Sequence, residues 1–442
     1  MSSRAWLNEL VDDRPQEQVF RVSRRMFTDP EILQLEIEYI FERTWSFVGL
    51  ESQIAEPNEF VTTFIGRQPV ILMKDSKGKL GCFFNTCRHR GTLLCPFKHG
   101  RQKFHVCRYH GWSYDSAGRN ITVTDASEGQ YPPTFDTEDR NLVPVARLES
   151  YRGLIFASLS KDVPPLHEYL GDSRIFIDLM ADQSPVGQLE FVPGHMTYTF
   201  DANWKLQFEN GLDYYHFVST HGSYIDICSK REIVPEAYPS EPPDEVEGQG
   251  SFNFVNGHAV NWSVWRRPLS PRPLSIQPEY LEQLKELVGP TKLKWMLRQR
   301  NLTIFPNLQV IDISSAQLRT WRPLSVDKTE MASYCLAPVG ESSKARQLRI
   351  RNYEDFFNPS GLATSDDNVM YEFCQSGYAA QAGATFGHLR GLNGQPVNRY
   401  AAELDLPAEG AAFGTMGFGG ETNFHPGYRE WRRLIEQGLK NA

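Results

Sequence analysis

The chain has no run of about eighteen uncharged apolar residues, so no membrane-spanning helix is expected. Its first residues, MSSRAWLNELVDD, lack the apolar centre of a secretion signal. A basic block is also missing. Lys and Arg number 46 against 54 Asp and Glu, a formal net charge of −8, which argues against nucleic acid as a partner. Cysteine is scarce. The seven (Cys82, Cys87, Cys95, Cys107, Cys228, Cys335 and Cys374) are odd in number and scattered. That pattern argues against a secreted disulfide framework and for thiolate ligands in a reducing cytoplasm. No internal repeat is found. Aromatic bulk, by contrast, is plentiful: 27 Phe, 18 Tyr and 9 Trp among 442 residues. The length suits two domains, and the aromatics suit a large core and a lined pocket.

Residues 29–44 are predicted helical, with Asp29 as cap, Pro30 in the first turn, and Leu33, Ile37, Ile40 and Phe41 at helical spacing. From Phe60 to about Leu159, short β-rich runs alternate with turn residues, which predicts a compact antiparallel domain. Val163-Pro164-Pro165 marks a boundary. Beyond it HMTYTFDANWKLQF, LTIFPNLQVIDI and MASYCLAP read as strands, 279–298 as a helix broken at Gly289-Pro290, and GYREWRRLIEQGLK as an amphipathic helix. Residues 228–250 and 376–420 read as loops able to cover a site. The expected fold class is α+β: a β-rich domain (41–162) inserted in a larger domain (1–40 and 163–442) with an antiparallel sheet and surrounding helices.

The β-rich region carries Cys87-Arg88-His89 and Cys107-Arg108-Tyr109-His110, with seventeen residues between His89 and Cys107. Two thiolates and two imidazoles suit a [2Fe–2S] cluster with one sulfur-ligated and one nitrogen-ligated iron, a type that works at higher potential than an all-cysteine cluster. Zinc uses the same ligand types but favours other spacings, and Gly91, Gly111 and Trp112 fit the cluster loops. Cys95, His99 and His105 are read as core or surface residues of those loops.

In the larger domain the informative stretch runs from Asn203 to His221. On a helix, Asp213 and His216 share a face. His216 and His221, five apart, would diverge by about 140°, so the helix must loosen or end between them, by a π-type turn or by fraying before Gly222. Two histidines and a carboxylate make the open facial triad of non-haem Fe(II) enzymes, and the Asp366-Asp367 pair is the best downstream candidate for the carboxylate. Alone, the two histidines would be structural. Beside Asp213, Asn210 and a cluster pattern they read as iron ligands. Asn210 either touches bound oxygen or satisfies backbone groups.

These motifs resemble the large (α) subunit of Rieske non-haem iron aromatic-ring-hydroxylating dioxygenases. The likeness runs from near Phe27 to about residue 375, and is nearest to the benzoate, toluate and anthranilate 1,2-dioxygenases in runs such as CRHRGTLLC, YTFDANWKLQFENGLDYYH and YEDFFNPSGLATSDD. It implies that the β-rich domain is a Rieske [2Fe–2S] domain, with Cys87 and Cys107 on one iron and His89 and His110 on the other. It implies His216, His221 and Asp367, the second of the acidic pair, on a mononuclear Fe(II). Asp213 would bridge His216 to His110 of a partner subunit. Leu212, Phe217, Phe357, Leu362 and Ala363 would line the pocket, with core packing as the alternative for each. Tyr214 and Phe217 stand where near relatives often have glycine and valine, and Ala363 where many hydrocarbon-oxidising relatives have a large aromatic. Arg319 is a candidate for a substrate carboxylate, with a buried structural role as the simpler reading. The implied activity is cis-dihydroxylation of a benzoate-type acid (benzoate, toluate, anthranilate or halobenzoate) by O₂. The implied partners are an NADH-dependent flavin and iron–sulfur reductase and a small β subunit (α₃β₃), otherwise an α₃ homotrimer. A Rieske monooxygenase or demethylase, and a cluster-only electron carrier, are the rival readings.

Overall fold

The β-rich region folds as three small antiparallel sheets in a computed structural model that describes residues 3–231, 248–264, 271–380, 382–394, 398–407 and 419–441. This region, Phe41–Leu166, is one compact unit; Met1–Ile40 with His167–Ala442 is the other. In the smaller unit the main sheet has the order Leu80–Phe84, Gln68–Lys74, Glu59–Ile65, His99–Arg101. The strand Gln68–Lys74 sends Val70 and Leu72 into one apolar cluster and Ile71 and Met73 into another. Alternation along a strand makes this possible: successive side chains leave on opposite faces. The second cluster also holds Cys87, Cys107, Trp112 and Tyr114, so the cysteine loops are seated on a packed core. Each fully buried aliphatic there contributes roughly 1.5–3 kcal/mol.

The larger unit is built on one eight-stranded antiparallel sheet: β1 (Leu189–Phe191), β2 (Met196–Phe200), β3 (Gln249–Asn253), β4 (Ala259–Ser263), β5 (Gln299–Ile304), β6 (Leu308–Asp312), β7 (Ala316–Ser325) and β8 (Lys328–Pro338). The order is β1-β8-β7-β6-β5-β4-β3, and β2 follows β1 along the same edge of β8. Both β4 and β6 are buried at every position. Four helices matter for function: α1 (Trp204–Asn210), α2 (Phe217–Thr220), α3 (Gly222–Lys230) and α4 (Leu362–Tyr378).

Several expectations are corrected. The run HMTYTFDANWKLQF is not one strand; β2 stops at Phe200 and α1 begins at Trp204. Asn203 decides this, because its side chain accepts from Lys205 N as a helix N-cap. The helix predicted over 29–44 starts as expected, with Asp29 accepting from Glu31 N, but becomes a π turn at Ile37–Phe41 and ends there. The break expected in the 279–298 segment at Gly289-Pro290 is present: Pro278–Val288 and Pro290–Leu297 are two helices, parted at Gly289 with φ 80°. The span 376–420 is not all loop: α4 reaches Tyr378, and Thr385–Gly387 and Asn398–Glu403 are strand and helix. Most of the predicted 228–250 loop, 232–247, and residues 408–418 lie outside the described residues.

One buried carboxylate organises the start of α1. Glu36 is fully buried and accepts from Lys205 Nζ (2.6 Å), Trp204 Nε1 (2.8 Å) and Trp431 Nε1 (2.7 Å). Trp431 belongs to the helix His425–Asn441. A buried ion pair holds its place only when its remaining donors and acceptors are satisfied, as here. Among the described residues no helix is long and apolar enough to cross a membrane.

Candidate metal centres

Cys87 and Cys107 sit at the base of two loops with the same hydrogen-bond pattern. Cys87 N donates to Thr92 O and Gly91 N to Cys87 O; Cys107 N donates to Trp112 O and Gly111 N to Cys107 O. Gly91 and Gly111 take φ of +70° and +75°, the left-handed region that favours glycine. The sulfurs are buried, while His89 is exposed and His110 half-buried. The two imidazoles lie 4.5 Å apart between centroids, and Trp112 stacks on His89 at 4.9 Å. Tyr114 Oη stands 3.4 Å from Cys87 Sγ and accepts from Arg88 N. Burial pushes the free Cys87 thiol up, and the nearby Cys107 sulfur adds to this. Two sulfur and two nitrogen donors presented by twin loops fit a Rieske cluster, whose iron would take the thiolate forms.

The second centre is assembled from distant parts of the chain. α2 is one turn long: His216 is its N-cap and His221, at φ −103° and ψ 29°, ends it before α3 starts. The break falls where the five-residue spacing required one. Asp213 is not helical. It lies in the turn between α1 and α2, takes the Tyr215 N–H on Oδ1, and holds Oδ2 3.2 Å from His216 Nδ1, without hydrogen-bond alignment. α4 then brings Asp367 Oδ1 to 3.4 Å from His216 Nε2 and 3.2 Å from His221 Nε2. Ligand atoms of the three residues lie within 4.8 Å of one another. Asn210 Nδ2 donates to Asp367 Oδ1 at 3.1 Å and stands 3.3 Å from His216 Nε2. Asp366 Oδ2 takes His221 Nδ1 at 3.3 Å.

Each imidazole thus has Nε2 toward a common centre and Nδ1 toward a carboxylate. Burial would lower the His216 pKa, but Asp213 and Asp367 outweigh it and raise it to about 10. Burial would raise the Asp367 carboxyl, but the two histidines hold it well below the usual carboxylate range. A site that stabilises positive charge among two imidazoles and a carboxylate fits a divalent cation. It opens on a 520 Å³ cavity walled by Phe217, Val218, Tyr224, Ile311, Phe356, Phe357 and Ala363, among others, with Tyr214 and Arg319 also on the wall. Leu212 and Leu362 are not on the wall: Leu212 is fully buried, and Leu362 packs against the neighbouring apolar cluster.

Residues 44–145 match the family described as Rieske [2Fe-2S] domain, and residues 190–408 match Ring hydroxylating alpha subunit (catalytic domain). Toluate 1,2-dioxygenase subunit alpha of Pseudomonas putida is 41% identical over 386 residues, 85% of this chain and 82% of that relative. The chain belongs to the Rieske ring-hydroxylating α-subunit family. Anthranilate 1,2-dioxygenase large subunit of Acinetobacter baylyi is 39% identical, covering 97% of this chain and 92% of that one. Among solved structures, naphthalene 1,2-dioxygenase with indole bound matches at a TM-score of 0.80 and 26% identity, over 94% of this chain and 92% of that one. This ring-hydroxylating α subunit is therefore an oxidoreductase whose cofactors are a Rieske [2Fe–2S] cluster and a mononuclear Fe(II).

Two contacts escaped the sequence: Asp366 behind His221, and Tyr114 against Cys87. The first had a signal, since one acidic neighbour of a ligand is left over in the Asp-Asp pair. The second had none, because the Tyr114 contact depends on how the strand after the loop turns back.

Proposed function

We propose that this α subunit cis-dihydroxylates the ring of a benzoate-type aromatic acid, with O₂ as oxidant and electrons that come from NADH through a separate reductase. One observation carries the reading: the His216–His221–Asp367 cluster opens on a mainly apolar cavity of 520 Å³ with an arginine on its wall. Relatives named for toluate and anthranilate support the substrate class.

In this reading Cys87 and Cys107 hold one iron of the cluster, His89 and His110 the other, and His216, His221 and Asp367 hold the mononuclear ion. One-electron supply and activation of O₂ are what the two metal groups contribute when bound. The protein's own work is positional. Asp366, hydrogen-bonded at Nδ1 of His221, keeps that Nε2 lone pair aimed at the centre, and the Asp213 carboxylate stands 3.2 Å from Nδ1 of His216. Asn210 fixes Oδ1 of Asp367. Phe217, Phe357 and Ala363 bound the space for the ring. Overall, one ring, one O₂, two electrons and two protons give one cis-diol. Where the ring carries a leaving group, its loss gives a catechol. The Rieske domain spans 41–162 and the catalytic domain 1–40 with 163–442. The active assembly is α₃β₃, otherwise α₃, in the cytoplasm. Asp213, whose side chain is 27% exposed, bridges to His110 of a partner subunit.

Turnover of benzoate with labelled O₂, NADH and a surrogate reductase tests this. The expected product carries both labelled atoms. One labelled atom would mean a monooxygenase, and no NADH consumption with any aromatic acid would remove the substrate class.

A further inference from the structure

Five arginines are buried among the described residues: Arg272, Arg298, Arg300, Arg319 and Arg349. Four have a carboxylate. Arg272 and Arg300 share Asp312, Arg349 meets Glu341 at 2.8 Å, and Arg298 has Glu403 at 3.7 Å. Arg319 is the exception. It is 3% exposed and lies on β7, flanked by Gln309 of β6 and Ser333 of β8. Its Nη2 donates to two neutral oxygens, Thr364 Oγ1 at 2.7 Å and Phe357 O at 3.4 Å. Its Nε is buried with no hydrogen-bond partner.

A buried guanidinium without a counter-charge is costly, because water's solvation is lost and nothing of opposite sign replaces it. The arginine also borders the cavity into which the metal triad opens. Thr364 and Asp367 are three residues apart on α4, so they share a face about one turn apart. The same stretch of helix therefore holds the arginine at Thr364 and presents the metal carboxylate at Asp367. The wall also carries apolar Phe357 and Ala363 and neutral polar Gln309 and Ser314.

We infer that Arg319 is the specificity residue that receives the carboxylate of the aromatic acid. This rests on the substrate class proposed above and deepens it. The fork of an arginine suits a carboxylate, and the missing counter-charge arrives with the substrate. A carboxylate held here brings the ring carbon that bears it, and the next one, toward the triad. That pair of carbons is the one to be hydroxylated.

Calorimetry with the assembled iron-loaded enzyme tests the assignment, using benzoate and its neutral isostere benzamide. The wild type is expected to bind benzoate more tightly than benzamide by roughly tenfold or more, the scale of a hydrogen bond to a charged group. Arg319→Gln should erase that preference and leave benzamide affinity, iron content and cluster absorbance unchanged. Arg319→Lys should keep part of it. If Arg319→Gln loses metal, Arg319→Lys decides alone, with a weakened benzoate preference and normal benzamide binding expected. Equal loss for both ligands, or an unchanged preference, would leave Arg319 a structural residue. Benzoate turnover by the wild type with an unchanged preference in Arg319→Gln overturns this assignment alone. A wild type that neither binds nor oxidises aromatic acids overturns the substrate class and this assignment together.

Discussion

The two proposed metal centres are made by opposite strategies. Cys87, His89, Cys107 and His110 come from two short loops that repeat one hydrogen-bond pattern, each closed by a left-handed glycine. The mononuclear site joins a broken helix to an acidic pair on another; Asn210 and Asp367, which touch in it, are 157 positions apart. The first centre is local and seated on its own core. The second exists only if the sheet, α1 and α4 are all in place. Local sites survive changes elsewhere, whereas assembled sites report on the whole unit.

The harshest trial of this contrast is Asp367→Ala. Turnover should vanish, and iron per chain should fall from about three to about two with acid-labile sulfide unchanged. Cys107→Ser should do the converse and remove the cluster. If either change empties both centres, their independence is wrong.

Next comes Gly211→Ala. The new Cβ would stand 1.5 Å from Gln309 Nε2, which itself donates to Gln207 O behind the site. Overpacking of this kind costs about 1–3 kcal/mol. A lower Tm is expected, with mononuclear iron lost before the cluster bleaches. Retained iron and an unchanged Tm would show that Gln309 can swing away freely.

A smaller effect separates the twin loops. Gly91→Ala and Gly111→Ala both place a side chain at positive φ, at about 1–2 kcal/mol each. Gly111 should lose more, since its Cβ would meet Thr124 Oγ1 at 2.3 Å whereas Gly91 faces open space. Thermal bleaching of the cluster measures both, and Thr124→Ala should narrow the gap.

The smallest effect is a pH slope. In iron-free protein the His216 pKa is raised from 6.5 to about 10. A raised histidine stabilises the fold fully below its unfolded value and loses that contribution as pH rises through the folded value. The Tm of the iron-free enzyme should therefore fall between pH 6.5 and about 10, and the fall should shrink in Asp213→Asn. Iron uptake should weaken toward low pH, because protons compete for the same nitrogen. A flat Tm profile over this range would mean that the carboxylates do not hold His216 protonated.

The same contrast explains how much was legible in the sequence. The cluster residues could be read from a spacing pattern because their geometry is set within each loop. The break at His221 could be read too, since a regular helix cannot aim residues five apart at one point. The Asp366-Asp367 pair was visible, but spacing could not tell which member faces the histidines; the turn of α4 decides that, and puts Asp366 on the outer nitrogen of His221. The resemblance implies Leu212 in the cavity wall, yet its side chain is fully buried in the core. The run that reads as a strand across Asn203 hides a helix start, since Asn before Trp-Lys-Leu-Gln-Phe is an N-cap. For Arg319 the sequence leaves two readings open, a partner for a substrate carboxylate and a buried structural arginine. Its want of a carboxylate is a property of three-dimensional surroundings that no spacing contains.

Glu36 has one more consequence. It ties an early helix, the head of α1 and a tryptophan of the final helix into a single knot, and α1 ends at Asn210 beside the triad. The segments around Glu36 and Trp431 thus act as guy ropes on the iron-binding wall. A tag or trim that loosens Trp431 should slacken that wall from afar, and a variant shortened at its far end should be assayed for metal before it is judged inactive.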